Sequence, residues 1–259
     1  MDFVLPEFDE KPTLVIVQGA FQDPQIYETL KNILSSQGFP ILHPPLPSCS
    51  DVQSPEFPSV TLVDDALAIR MELVRLVEYA SKIVVVIMHS YGGLVGSEAI
   101  PEYFSYSERH AKGLQGGVIH LFYVAAFLLR EGESMVDVFA DSGNTKVKPD
   151  GRVYVQGGER LLYNDLTAIE ASHWASHLIA QSHAVQATRV TRSAHQYIPS
   201  TYLICENDNF CLRMFQEHYA AQAKAQVERC SSGHSPMLSQ PDMLAERIVA
   251  ATDKALAEA

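Results

Sequence analysis

Ile83-Val84-Val85-Val86-Ile87-Met88-His89-Ser90-Tyr91-Gly92-Gly93 is the stretch from which the rest of the chain can be read. Ile83 to Ile87 are all β-branched. A continuous run of this kind predicts a strand buried on both faces, the condition of a parallel sheet. The run ends in a serine and two glycines, and a helix is expected from Gly92 to about Phe104. A serine between strand and helix can occupy a tight, strained turn that lifts its Oγ above the sheet edge. Small residues two places on either side normally let strand and helix backbones approach. Here the upstream one is Met88, a departure that must be accommodated elsewhere.

Working outward, Thr13–Val17 is a second β-branched run and stops at Gln18-Gly19. A helix is expected over Pro24–Gln37, with Ile26, Leu30, Ile33 and Leu34 on one face and Gly38 as its stop. Phe39–His43 reads as a strand weakened by Pro40, followed by a Pro/Ser-rich loop to Pro58. Ser59 or Thr61 can cap a long helix over Leu62–Tyr79, whose apolar face holds Ala66, Ile69, Leu73, Leu76 and Val77. Val118–Ala125 is the next strand. Residues Arg130 to about His195 break the alternation with Gly143-Asn144, Pro149-Asp150-Gly151 and Gly157-Gly158, then a helical stretch over Ala168–Gln186. Alternation resumes with a strand over Ser200–Cys205, a helix over Cys211–Lys224, a short strand over Ala225–Arg229 and a final helix over Pro241–Ala257. The pattern predicts one α/β domain over residues 1–259, a mostly parallel, doubly wound sheet with helices on both faces, and a helical cap inserted at about 130–195.

Composition narrows the function classes. The 259 residues are 47% hydrophobic and 19% charged, the balance of a globular chain. Nineteen Lys+Arg against 31 Asp+Glu give a net charge of −12, which repels nucleic-acid backbones and anionic membranes. No apolar run reaches the roughly 18 residues of a spanning helix. Met1–Glu7 has no basic or apolar leader character, so a secreted protein is not expected. Cys49, Cys205, Cys211 and Cys230 are scattered, which predicts free thiols and a reducing, cytoplasmic setting. The remaining expectation is a small-molecule substrate, with no nucleic-acid or membrane partner and a homodimer left open.

The chemistry gathers around Ser90. A serine hydroxyl needs a general base, itself oriented by a carboxylate. Glu206-Asn207-Asp208-Asn209 follows the strand Ser200–Cys205, and Gly233-His234-Ser235 follows the strand Ala225–Arg229. All three loops are expected at the carboxyl edge of the sheet, where sites of open α/β sheets lie. Ser90, Asp208 and His234 are therefore the candidate nucleophile, acid and base, with Asp208 favoured over Glu206, which lies nearer the strand. The backbone N–H groups of Ala20, in the first loop, and Tyr91 are the candidate oxyanion donors. Phe21 and Trp174 are candidate substrate-binding residues. Phe139, Tyr154 and Tyr163 of the cap are expected to join Trp174 around an apolar pocket.

Metal and cofactor motifs are absent from the reading. His173 and His177 stand at i and i+4, but the glutamate of His-Glu-x-x-His is missing, and His183 is the one further ligand in view. Gly92-Gly93-x-x-Gly96 lacks the Gly-x-Gly of a dinucleotide fingerprint. A cofactor-free site is expected.

The chain resembles the α/β-hydrolase superfamily, and within it the small branch of plant methylesterases and hydroxynitrile lyases. The resemblance runs through Val15–Ala20, His89–Gly93, Tyr123–Leu128, Tyr163-Asn164-Asp165, Cys205–Asp208 and Gly233-His234. It implies the α/β-hydrolase fold and carries nucleophile, acid and base onto Ser90, Asp208 and His234, with oxyanion donors at Ala20 and Tyr91. Two departures bear on mechanism. The first loop reads Gln18-Gly19 where most relatives have His-Gly. Ser235 stands where hydroxynitrile lyases of this branch have a lysine, which argues against cyanohydrin cleavage. The expected activity is hydrolysis of a small or medium, largely apolar ester, lactone or thioester. The alternatives are a lyase, cyclase or dehydratase using the same triad as acid and base on a natural-product intermediate, and a non-catalytic ligand-binding receptor.

Overall fold

The computed structural model describes residues 10–138 and 143–259, so Met1–Glu7 and Phe139 of the sequence reading lie outside the described residues. The strands in chain order are β1 (Thr13–Val17), β2 (Ile41–Leu42), β3 (Ile83–His89), β4 (Gly117–Val124), β5 (Thr145–Val147), β6 (Arg152–Val155), β7 (Gln181–Ser182), β8 (Ser200–Cys205) and β9 (Gln226–Cys230). Six of them form one sheet in the order β2-β1-β3-β4-β8-β9. Every neighbouring pair is parallel. This is the α/β-hydrolase architecture.

The β-branched runs are buried on both faces, as a parallel sheet demands. Leu14, Ile16, Val85 and Ile87 pack on one side, with Leu30 and Leu34 of the helix Glu28–Ser36 and Leu244 and Ile248 of the helix Pro241–Ala257. Val15, Val17, Val84, Val86 and Met88 pack on the other, with Leu62, Ala66 and Ile69 of the helix Leu62–Leu73 and Tyr219 and Ala220 of the helix Arg213–Ala223. At about 25 cal/mol per Å² of apolar surface removed from water, these two layers dominate the folding free energy.

Several boundaries differ from expectation, each for a local reason. The strand at Phe39–His43 shrinks to two residues, because Pro40 has no N–H to give and only its carbonyl is used, by Leu14 N at 2.9 Å. The helix after Ser90 ends at Ala99, and Pro101 stops it; a separate helix, Tyr106–Ala111, follows and is capped by Ser105. Thr61, not Ser59, caps the helix Leu62–Leu73, in a capping box with Asp64; its continuation, Val74–Tyr79, is a π-helix. The largest correction concerns residues 130–195, which are not purely helical. They carry a three-stranded antiparallel sheet, β5-β6-β7. Pro149-Asp150-Gly151 is the turn that joins β5 to β6: Gly151 has φ +83°, and Lys148 N bonds Arg152 O at 2.8 Å. The helical stretch expected over Ala168–Gln186 is two helices, Ala168–Ser176 and His183–Ala187, separated by β7.

Met88 is accommodated by Gly96, one helical turn away. A Cβ on Gly96 would lie 2.2 Å from Met88 Sδ, so the missing side chain of the helix makes room for the extra one of the strand. Gly92 answers to a harder neighbour, since its Cβ would lie 2.2 Å from the carbonyl oxygen of Val17. Gly92→Ala should therefore cost about 2–3 kcal/mol or more in urea denaturation, because backbone must move. Gly96→Ala should cost about 1–3 kcal/mol and recover most of it in a Met88→Val background. Equal costs for Gly96→Ala in both backgrounds would contradict this packing.

Candidate active site

All six strands of the main sheet run the same way, so the loops after β1, β3, β8 and β9 meet at one edge. Ser90 sits at the tip of the turn after β3 with φ +54°, a left-handed conformation that costs a non-glycine residue about 1–3 kcal/mol. The turn is held from both sides: Ser90 N donates to Val124 O at 3.1 Å, and Ser90 O accepts from Gly93 N and Phe127 N, each at 3.0 Å. The neighbouring loop tolerates only a glycine at 19, where a Cβ would lie 2.9 Å from His89 Nδ1 and 3.1 Å from Ser90 Cβ.

A hydrogen-bonded chain starts at this serine. Its Oγ lies 3.0 Å from His234 Nε2, and His234 Nδ1 lies 2.7 Å from Asp208 Oδ2. All three residues are at most 3% exposed. Asp208 is fixed in turn: Oδ1 accepts from Phe210 N (2.7 Å) and Cys211 N (2.9 Å), and Oδ2 accepts from Gln216 Nε2 at 3.2 Å. With every approach to its carboxylate occupied, Asp208 can only present Oδ2 to the imidazole. Glu206 is exposed and pairs instead with Arg229 at 3.3 Å. Such a constellation can take a proton from Oγ and hold the resulting imidazolium.

Ala20 and Tyr91 flank Ser90 at the wall of a cavity of about 240 Å³. Among the described residues, neither backbone N–H donates to a protein acceptor, so two donors stand free beside the hydroxyl. The apolar wall is Phe21, Phe127, Met135 and Phe210. Phe21 adopts φ +66°, and its carbonyl accepts from Ile179 N at 2.8 Å, tying the loop after β1 to the segment that carries β7. Trp174 is not part of this cavity. It packs, half-buried, on the cluster of Leu161, Leu162 and Tyr163, beside Leu238. Tyr163 is buried in the same cluster, and Tyr154 lies under Lys148, whose Nζ is 4.2 Å from the ring centre. The aromatic wall thus comes from the sheet-edge loops instead. His173 and His177 are exposed with ring centres 4.6 Å apart, and among the described residues no three His, Cys, Asp or Glu side chains are gathered to hold a metal ion.

The residues that sequence reasoning missed form the support. Gly19 N donates to Tyr27 Oη at 2.9 Å, so the Tyr27 hydroxyl hydrogen is free to go to His89 Nδ1 at 2.7 Å. That assignment leaves the proton of His89 on Nε2, which donates to the carbonyl of His234 at 2.8 Å. Burial, and then the neighbouring His234 ring, hold the His89 pKa well below the ordinary imidazole value. A neutral ring thus ties the loop after β1 to the His234 loop. Tyr91 is pinned likewise: its hydroxyl donates to Asp65 Oδ2 at 2.7 Å, while Asp65 Oδ1 accepts from Ser48 N at 2.8 Å. Burial pushes the Asp65 carboxyl up. Asp65 stands on the Leu62–Ala66–Ile69 stripe, and a carboxylate on an apolar helix face is the signal that could have marked it. Ser235 is also committed, donating to Leu162 O and accepting from Gln22 Nε2, both at 2.8 Å.

Residues 14–247 match the model of the alpha/beta hydrolase family. The chain belongs to that family. It is 30% identical over 260 residues to the alpha/beta hydrolase nvfD of Aspergillus novofumigatus, covering 95% of this chain and 98% of that one. Two solved structures share its fold: polyneuridine aldehyde esterase (16% identity, TM-score 0.74, covering 94% of this chain and 100% of that one) and the methylesterase MES16 from Arabidopsis (18%, 0.73, 93% and 99%). The hydrolase has relatives named as hydrolases and a fold shared with esterases.

Nitrogen-15 NMR of the His89 ring should show the neutral form with its proton on Nε2 from about pH 8 down to about pH 5. The sign follows from the depressed pKa, since the neutral form then persists below the ordinary value of about 6.5. A ring that gains a proton within that range would contradict the buried chain.

Proposed function

We propose that this hydrolase is a cofactor-independent serine esterase that cleaves a small or medium, largely apolar carboxylic ester, lactone or thioester. The observation that carries the reading is the buried chain Ser90–His234–Asp208 opening on an aromatic-lined cavity beside two free backbone N–H groups. In this reading Ser90 Oγ attacks the carbonyl carbon as His234 Nε2 takes its proton, and Asp208 holds the imidazolium by its Nδ1–H. The carbonyl oxygen becomes an oxyanion between Ala20 N and Tyr91 N. The leaving alcohol or thiol takes the proton back from His234. Water, losing its proton to the same nitrogen, then attacks the acyl-enzyme; the acyl–Oγ bond breaks, His234 returns the proton to Ser90 Oγ, and the acid leaves. Phe21 lines the acyl or alcohol site.

The names of the two fold relatives, an aldehyde esterase and a methylesterase, support an ester as substrate. The departures at Met88 and Gln18 find contacts of their own: Gly96 receives Met88, and Gln18 Nε2 reaches Gln22 O at 3.4 Å, with Gln18 Oε1 unpartnered among the described residues. The hydrolytic reading is therefore preferred. A cytoplasmic setting is proposed with it, supported by four buried cysteines that are all free thiols.

Intact-mass analysis after treatment with a fluorophosphonate should give one adduct on the wild type and none on Ser90→Ala or His234→Ala. On an ester that the wild type turns over, Ser90→Ala should lower kcat by about 10⁶-fold and Asp208→Asn by about 10⁴-fold. A folded wild type without an adduct, or an adduct that survives Ser90→Ala, would overturn the reading.

A further inference from the structure

One buried donor in the cavity is left without a partner among the described residues. Gln181 lies on β7, paired with Val153 of β6, and is 2% exposed. The next residue fixes the strand: Ser182 Oγ donates to Pro58 O at 2.8 Å and accepts from Ala184 N at 3.1 Å. Neighbouring side chains on a strand point to opposite faces, and that of Gln181 lines the cavity. Its amide faces Gln186, whose Nε2 donates to Gln181 Oε1 at 3.3 Å. The acceptor end is used, and among the described residues the Gln181 Nε2 amino group has no hydrogen-bond partner. More than nine in ten buried polar groups are satisfied in folded proteins, so a strand-held amide with one empty end needs a reason.

We propose that Gln181 is a specificity-determining residue whose Nε2–H reads a second oxygen function on the substrate. This inference rests on the esterase reading and deepens it. The substrate is then an uncharged, mainly apolar ester or lactone that carries a ketone or similar neutral acceptor away from the carbonyl attacked by Ser90. Charge on the ligand is disfavoured by the lining. Among the described residues around the cavity there is no Lys or Arg to pair with an anion and no Asp or Glu to pair with a cation. With no Lys or Arg to meet it, a carboxylate would lose more in leaving water than the amides, hydroxyls and His183 of the lining return, whereas a carbonyl gives up far less and gains the waiting N–H. Asn144 and Gln186 line the same cavity, giving this wall an amide character that the phenylalanine wall lacks.

Discrimination should follow the asymmetry of buried polar sites: a pocket built to donate rejects the ligand that cannot accept. The test uses matched esters. One series is ethyl octanoate and its counterparts with a keto group at carbon four, five or six of the acyl chain. The other is octyl acetate with the same keto positions in the alcohol chain. Wild type should favour at least one keto ester over its all-methylene parent by about tenfold or more in kcat/KM. Gln181→Met, similar in length but without a donor, should abolish that preference, bringing the kcat/KM ratio of keto ester to parent to about one. Should Gln181→Met fail to fold, Gln181→Leu also removes the donor, with the same loss of preference expected. Equal kcat/KM for keto esters and parents in wild type, or a preference that survives removal of the donor, would overturn the proposal. Wild type inactive on every ester, parents included, would overturn the esterase reading itself, a different result from active but indifferent enzyme.

Discussion

Everything at the sheet edge depends on one constraint, the reversal of the chain between β3 and the helix Gly92–Ala99 with Ser90 at φ +54°. An L-residue in that conformation is strained, and the strain is held only because the surroundings over-determine it. Three hydrogen bonds grip the Ser90 backbone, and Gly92 and Gly93 bring the helix against the carbonyls of Val17 and Phe127 at distances no Cβ permits. The turn fixes Oγ relative to the sheet, and the parallel direction of the strands delivers the other loops to the same edge. Position, rather than any unusual property of the serine, is what the fold contributes first.

A second layer converts position into a defined proton arrangement. Gly19 N–H, the Tyr27 hydroxyl, His89 and the carbonyl of His234 form one donor-to-acceptor sequence with a single consistent direction. Because His89 is buried and neutral, this sequence adds no charge beside His234, while the Asp208 carboxylate accepts from two backbone N–H groups, Gln216 and the imidazole. A half-satisfied network at this depth would cost more than it contributes. The satisfied one holds three loops, distant in sequence, in fixed register.

Much of this was legible in the residues themselves. Largely apolar runs bounded by turn residues located β1, β3, β4 and β8, because burial on both faces leaves a recognisable composition. The order serine, acid, histidine, each just past a strand, located the candidate triad. Asp208 was already favoured over Glu206 in the sequence; what the sequence does not show is the reason, the bonds from Phe210 N and Cys211 N that turn its carboxylate inward. Residues 130–195 were read least well. Their strands are two to four residues long, too short for a period-two pattern to emerge, and Pro149-Asp150-Gly151 was taken for a break when it is a hairpin turn. Trp174 was assigned to the pocket on size and aromaticity, properties that serve a small packing cluster equally well.

The central claim is that the elbow and the loop after β1 together aim two backbone donors at one point beside Ser90. A crystal structure of the fluorophosphonate-treated protein tests this most directly. The account predicts phosphorus bonded to Ser90 Oγ, with the phosphoryl oxygen about 2.7–3.1 Å from both Ala20 N and Tyr91 N. A phosphoryl oxygen turned into the cavity, away from both N–H groups, would contradict it.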